Sequence, residues 1–389
     1  MIPARTCAIA RTCAIARSVA LFLVLLVLPQ LFPSRSAADT FALTDPHPAV
    51  CETGPDARFE FDHGALLPIM GRFSFSPTGE PPLCAEISAP GESLPGGLLR
   101  IITVSADRLD RFSVRLNAPG GGVVSRTTGF LRERGEAGEL WIALLGVPAD
   151  ARKGEYRLDV AIASGARSCV VLTALVVLER AFPAEKISLD GDLALLRTSS
   201  DPRKAAEAKQ MSEVLSTAHP DALYETGTFE NPLPSARRSA GYGDRREYLY
   251  AETGSDFSIH SGIDLAAPEG TMVPACGKGT VVFTGERLLT GWSVAIEHLP
   301  GLFSLYYHMS GILVRKGDLI EKGQVVGFVG KTGLATGPHL HWEVRALGTA
   351  VDPDMLTQTS PYPAGRDPPV LDKSTGIGTF ESSNSTEGR

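Results

Sequence analysis

The stretch Gly337-Pro338-His339-Leu340-His341-Trp342-Glu343-Val344 decides how this chain is read. As a strand it has two unlike faces: His339, His341 and Glu343 share one, and Leu340, Trp342 and Val344 share the other. The apolar face can pack into a sheet core while both imidazoles project into one groove. A pair of surface histidines is unremarkable alone, but two in alternation beside a glycine-rich loop are uncommon. The layout suits one histidine on a metal and another beside it.

Five of the chain's eight histidines lie between His260 and His341. One belongs to His260-Ser261-Gly262-Ile263-Asp264, where an imidazole nitrogen and a carboxylate oxygen are both suitable zinc ligands. Gly262 either lets the backbone pass close to the site or takes a strained angle between the two ligands. Another lies in Ser304-Leu305-Tyr306-Tyr307-His308-Met309-Ser310, a strand-like run in which strict alternation puts Tyr306 and His308 on one face. A lone histidine in an apolar strand is more often a core residue; its company with the other two motifs reverses that expectation. Three protein ligands with an open fourth position would hold zinc and a water whose pKa falls to about 7. Two further histidines could then take up the water's proton and stabilise the tetrahedral intermediate. There is no H-E-x-x-H helix, so the thermolysin-type arrangement is excluded.

In their order and spacing these motifs resemble the LytM/lysostaphin-type peptidoglycan metalloendopeptidases. The resemblance runs from about Phe229 to Leu356. It takes in His260–Asp264, Ala266–Gly270, Gly279–Val282, Gly291–His298 and Leu305–Ser310. It continues through Lys316-Gly317-Asp318, Lys322-Gly323-Gln324 with Gly327 and Gly330, and Thr336–Val344. It implies an antiparallel β-sheet groove, one zinc ion on His260, Asp264 and His341, and His308 and His339 as the catalytic pair. Some members of that family have lost ligands and act as non-catalytic activators, but all five positions here keep the expected type. Peptidoglycan is the implied substrate, cut endopeptidically in its stem peptides or cross-links; the bond is not implied. His298 is read as structural or groove-lining. Residues 242–256 are expected to form groove walls, with Arg245, Arg246 and Tyr306 as candidate substrate contacts. Cys276 departs from the family pattern, away from the ligand motifs.

The rest of the chain places this domain in context. At 389 residues there is room for two compact domains and tails. A hydrophobic content of 43% and a charged content of 21% are those of a globular protein. The net charge of −7, without a long basic run, argues against nucleic acid as a partner. Arg5, Arg11 and Arg17 precede an apolar run from Val19 to Leu28, and the small residues Ser36 and Ala38 stand at −3 and −1 of a possible cut, so residues 1–38 read as a secretory signal peptide. Left uncleaved, that segment would be the only membrane contact. Export puts the cysteines in an oxidising compartment, where Cys51 and Cys84 are candidates for a disulfide. Cys169 and Cys276 lie in apolar runs and read as buried thiols.

Residues 39–95 are rich in Pro and Gly and show no clear period. Between 96 and 180, short alternating runs such as Phe112–Leu116 and Tyr156–Ile162 are separated by turn clusters, which predicts an immunoglobulin-like β-sandwich. It carries no histidine or charged cluster, so its expected role is spacing or binding, for instance of an envelope partner. A connector over 181–228 holds one helix at 201–217, opened by Asp201-Pro202 and followed by Pro220. Residues 357–389 are polar and read as a disordered tail. The expected fold class is therefore mostly β, in a secreted, monomeric zinc endopeptidase of the periplasm or cell envelope. The alternative is a non-catalytic regulator or wall-binding scaffold. A third reading, of Lys316–Gly330 as a carrier-type hairpin, does not explain His260, Asp264 and His341 together.

Overall fold

A computed structural model describes residues 69–75 and 83–362, apart from 136–137, 190, 226 and 252–253. The signal segment, Cys51 and residues 363–389 lie outside the described residues. The described residues fold mostly as strands. No helix among the described residues is long and apolar enough to cross a membrane.

Ten strands come first: β1 (Ile69–Phe75), β2 (Leu83–Ala89), β3 (Glu92–Ser93), β4 (Leu98–Ser105) and β5 (Arg111–Asn117), then β6 (Val123–Thr128), β7 (Phe130–Gly135), β8 (Gly138–Gly146), β9 (Gly154–Ser164) and β10 (Arg167–Val177). They form two five-stranded sheets, in the orders β1-β2-β4-β8-β7 and β3-β10-β9-β5-β6. Alternation works as expected in β5, where Phe112, Val114 and Leu116 are buried and Arg111 and Arg115 face water. These side chains meet Ile101, Ala143 and Leu145 of the facing sheet in one core. The sandwich begins well before residue 96, because β1 and β2 lie in the stretch without a clear period. β10, nearly all apolar in sequence, buries only one face and leaves Leu172 and Val176 exposed. Cys169 and Cys276 are both buried.

The connector holds β11 (Ala184–Leu189), α1 (Gly191–Thr198) and α2 (Pro202–Ser216). Asp201 caps α2, its side chain accepting from the Arg203 amide at 2.8 Å, and Pro202 fills the first turn, where no intrahelical donor is needed. The helix buries Met211 and Leu215 against Phe283, Phe303, Leu305 and Tyr307.

The C-terminal domain comprises β12 (Arg237–Ala240), β13 (Arg245–Tyr250), β14 (Gly254–Ile259), β15 (Gly262–Ala266), β16 (Met272–Pro274), β17 (Gly279–Arg287) and β18 (Gly291–Leu299). It continues with β19 (Leu302–Met309), β20 (Gly311–Ile312), β21 (Leu319–Ile320), β22 (Val325–Phe328), β23 (His339–Ala346), β24 (Thr349–Val351) and α3 (Pro353–Gln358). Its main sheet runs β12-β15-β23-β19-β18-β17-β21, with β24 on β23. All of these pairings are antiparallel. β13 pairs with β14 and, in parallel, with β11, so the connector supplies an edge of the second small sheet. Leu340, Trp342 and Val344 of β23 are fully buried in the main core, as the alternation predicts. Full burial of one such large side chain contributes roughly 1.5–3 kcal/mol.

The two domains are not loosely tethered. Phe130, Ile142 and Leu144, on the outer face of a sandwich sheet, belong to the same core as Tyr242, Val344, Ala346 and Val351. Polar ties reinforce the seam: Arg180 donates to Asp352 at 2.6 Å, and the Asp352 amide to the Gly96 carbonyl at 2.9 Å. Asp352-Pro353 opens α3 with the same cap-and-proline signal as α2. The start of the expected tail is ordered too. Arg100 donates to the Ser360 carbonyl at 2.8 Å, and Arg132 lies 4.5 Å over the Tyr362 ring.

Candidate metal centre and active site

The site lies on one face of the main sheet, where β15 and β23 run side by side with Asp264 directly opposite His341. His260 sits in the two-residue link before β15. Its amide donates to the Asp244 carbonyl at 2.9 Å, and its Nδ1 lies 2.6 Å from the Gly241 carbonyl. That contact puts the ring hydrogen on Nδ1 and leaves Nε2 as a lone pair. Gly262 is needed for close approach rather than for a special angle: a Cβ there would lie 2.3 Å from the Trp342 carbonyl oxygen and 3.0 Å from His341 Nε2.

His260 Nε2, Asp264 Oδ1 and His341 Nδ1 converge. Nε2 is 3.0 Å from Oδ1 and 2.9 Å from His341 Nδ1, which is itself 2.9 Å from Oδ1. All three residues are buried. His341 Nε2 points toward Glu343 Oε2 at 3.7 Å, so its hydrogen belongs on that side and Nδ1 also faces inward as a lone pair. Three electron-pair donors aimed at one point repel one another unless a cation lies between them. Two imidazoles and a carboxylate fit zinc by ligand type. With the protein groups alone, burial lowers the pKa of His260. Burial opposes charge on Asp264 as well, but the His260 and His341 rings against it in the metal-free cluster hold its pKa well below the ordinary carboxylate value. At His341 burial is outweighed by hydrogen bonds to Asp264 and Glu343, which push its pKa up to about 9. A proton on His341 and a metal ion are thus alternative ways of neutralising one cluster.

The supporting groups hold that cluster in place. Arg246 Nη2 donates to Asp264 Oδ2 at 2.7 Å, which leaves Oδ1 for the centre; Arg246 Nε donates to Glu185 of β11 at 2.5 Å. Glu343 is fixed by Arg345 Nε at 2.6 Å. Tyr307 stacks on the His341 ring at 5.4 Å and 6°.

His308 and His339 stand beside the cluster with ring centroids 4.7 Å apart, and His308 lies 6.2 Å from His341. His308 Nδ1 faces the Thr332 carbonyl at 2.8 Å and His339 Nδ1 the Gly337 carbonyl at 2.8 Å, so both keep Nε2 as an acceptor. His339 Nε2 is 3.7 Å from Asp264 Oδ1. Burial, with smaller contributions from the neighbouring His339 and His341, lowers the pKa of His308 to about 3. This histidine therefore stays neutral near pH 7.

The structure brings together all five predicted residues, but it corrects the reading of β19. His308 has φ of 59°, a left-handed backbone that breaks the alternation. Tyr306 therefore faces the opposite side. It is fully buried, with its hydroxyl accepting from the Cys276 amide at 2.8 Å, and offers nothing to a substrate. Tyr307 takes its place beside the site. Arg245 is also spoken for: it donates to the Ala149 carbonyl of the sandwich at 2.7 Å and covers the Phe182 ring. His298 is structural and not groove-lining. It is fully buried below the sheet, bonded to the Lys278 carbonyl at 2.7 Å and Ser304 Oγ at 2.7 Å, and burial lowers its pKa to about 4.

A cavity of about 440 Å³ opens over the cluster. Arg246 and Tyr248 of β13 and Ser258 of β14 line one side of it. The connector helix α2 supplies another through Met211, Ser212 and Leu215, which sequence reasoning did not foresee.

Residues 258–353 match the family model described as peptidase family M23. Over 140 residues the chain is 39% identical to the DD-carboxypeptidase/endopeptidase Mpg of Neisseria meningitidis serogroup B, covering 36% of this chain and 31% of that protein. Over 93 residues it is 43% identical to the peptidoglycan DD-endopeptidase ShyA of Vibrio cholerae serotype O1, covering 24% and 22%. Among solved structures, the catalytic domain of the antimicrobial peptidase lysostaphin from Staphylococcus simulans aligns at 29% identity over 33% of this chain and 96% of that one, with a TM-score of 0.29. The matched stretch spans less than a third of the length of these curated relatives. Residues 258–353 of this chain are therefore a peptidase family M23 domain.

Proposed function

We propose that this protein is an exported zinc endopeptidase that hydrolyses peptide bonds in peptidoglycan stem peptides or cross-links. The observation that carries the reading is the convergence of three possible ligand atoms, on His260, Asp264 and His341, beside two further imidazoles with Nε2 free. The relatives with peptidoglycan endopeptidase names support the substrate class. The apolar, arginine-preceded N-terminal segment supports an envelope location. Its sandwich domain is proposed to contact the wall or an envelope partner.

His260, Asp264 and His341 would hold the ion. Bound zinc supplies a Lewis acid that polarises a carbonyl oxygen and lowers the pKa of a water. His308, neutral near pH 7 and anchored to Thr332, takes up the proton that the attacking water gives up. His339, anchored to Gly337, presents Nε2 beside it as a second acceptor for the attacking water, and the proton taken up by His308 is returned to the leaving amine. Glu343 and Tyr307 keep the His341 ring in its plane, and Arg246 keeps Asp264 ionised and aimed.

The test is digestion of purified sacculi by the full chain with zinc, with released peptides identified by mass spectrometry. The wild type should release peptides and the chelated protein should not. His308→Ala should retain the metal and lose about 10²–10⁴-fold in rate, the span of general acid–base catalysis. No release from the metal-loaded wild type would favour the non-catalytic regulator.

A further inference from the structure

Four arginines line the cavity over the cluster: Arg197, Arg246, Arg287 and Arg345. Three are consumed by carboxylates. Arg197 pairs with Asp256 at 2.7 Å, Arg246 with Asp264 at 2.7 Å and Glu185 at 2.5 Å, and Arg345 with Glu343 at 2.6 Å. Arg287, at the end of β17, has no carboxylate partner among the described residues. Its Nη1 donates to Thr290 Oγ1 at 3.2 Å, its Nη2 to the Glu207 carbonyl at 3.5 Å, and the guanidinium also hydrogen-bonds the Tyr307 side chain. Its Nε is buried without any partner. Glu207 of α2 is engaged otherwise; its carboxylate accepts from the Leu288 amide at 2.8 Å and from Arg203 at 3.4 Å.

An arginine cannot shed its charge, and a partly desolvated guanidinium without an opposite charge is costly unless something neutralises it. The position also matters. The guanidinium carbon lies 6.0 Å from the Tyr307 ring, and that ring stacks on the ligand His341. An incomplete cation therefore sits in the reaction cavity, one aromatic ring away from the metal cluster. A planar fork of donors is suited to a carboxylate, held by charge-assisted hydrogen bonds.

The geometry points to Arg287 as the residue that binds a free carboxylate of the peptide substrate, and so selects stem peptides that carry one close to the scissile bond. This rests on the peptidase reading above and deepens it. It also moves carboxylate recognition from the pair Arg245 and Arg246, which is used in structure, to a residue the sequence did not single out. Two carboxylates of a stem peptide share the chemistry: that of a terminal D-alanine and that of the diamino acid.

The experiment is calorimetric binding of zinc-loaded full-length protein to a synthetic stem peptide and to two derivatives, each with one of those carboxylates converted to the amide. The wild type should lose about 10- to 100-fold in affinity for one derivative, the range for hydrogen bonds to a charged group. That derivative identifies the carboxylate. Arg287→Gln should erase the difference between the acid and that amide, and Arg287→Lys should keep part of it. Both variants must carry the wild-type metal content, so any contribution of the metal to carboxylate binding is common to all. Equal affinity of the wild type for acid and amides, an unchanged preference in Arg287→Gln, or no binding of any peptide would overturn the assignment. Sacculus digestion reads the peptidase proposal separately. A protein that cuts without discriminating removes Arg287 and leaves the peptidase. One that discriminates without cutting does the reverse.

Discussion

Gly262→Ala is the substitution whose effect follows most directly from the structure. The glycine lies between His260 and Asp264 and directly opposite Glu343 on β23. An added Cβ would stand 2.3 Å from the Trp342 carbonyl oxygen, which is backbone, and 3.0 Å from His341 Nε2. The backbone cannot rotate out of the way as a flexible side chain would. Relieving the contact needs the strands to part by about 0.7 Å, several times the ~0.2 Å tolerance of a metal–ligand bond. Overpacking of this kind costs about 1–3 kcal/mol. It acts on the β15–β23 pairing, which sets Asp264 against His341, so metal binding should suffer as well as stability. The assay is thermal unfolding with and without zinc, together with a metal titration. Gly262→Ala should melt several degrees lower and bind zinc at least tenfold more weakly. Gly337→Ala is the control: it has open space around it and ordinary φ, so a change within about 0.5 kcal/mol is expected. If Gly262→Ala matched the wild type in both melting and zinc affinity, the close-approach explanation of the H-x-G-x-D spacing would be wrong.

Two further outcomes follow from the groups around the cluster. Glu343→Gln removes the charge that orients the His341 Nε2 hydrogen and pairs with Arg345, so zinc affinity should fall about 10- to 100-fold, measured by competition with a chromophoric chelator; unchanged affinity would show that Glu343 does not position the ligand. His298 is fully buried with its pKa lowered to about 4, so the unfolded chain, with histidine near 6.5, binds the extra proton first as pH falls. Its contribution is complete above about pH 6.5 and is lost toward pH 4, on the order of 2 kcal/mol between pH 7 and pH 4.5. Urea unfolding at the two pH values should show that loss, and His298→Gln should show less of it; an identical pH slope would mean that the ring titrates alike in both states.

How much of this was legible in the sequence depended on whether the signal was local. The alternation of β23 was, because an apolar face of Leu340, Trp342 and Val344 must be buried and the histidines must then share the other face. The cap of α2 was local as well, through Asp201-Pro202. The face of Tyr306 was not. The left-handed φ of His308 shifts the strand by one position, and nothing in Tyr306-Tyr307-His308 announces it. The roles of Arg245, Arg246 and Arg287 were beyond reach for a different reason: each depends on groups that only the fold brings together, namely Ala149, Asp264 with Glu185, and the cavity walled by α2. The strands β1 and β2 were hidden among prolines and glycines that the eye reads as loop.

The central claim is that three inward-facing lone pairs, on His260, Asp264 and His341, make one metal centre. It is tested most directly by measuring the metal content of the purified full chain and of Asp264→Ala after equilibration with zinc and removal of the excess. One zinc per wild-type chain and close to none in Asp264→Ala, with both proteins folded, is the predicted result. Retention of one tightly held zinc by Asp264→Ala would contradict it.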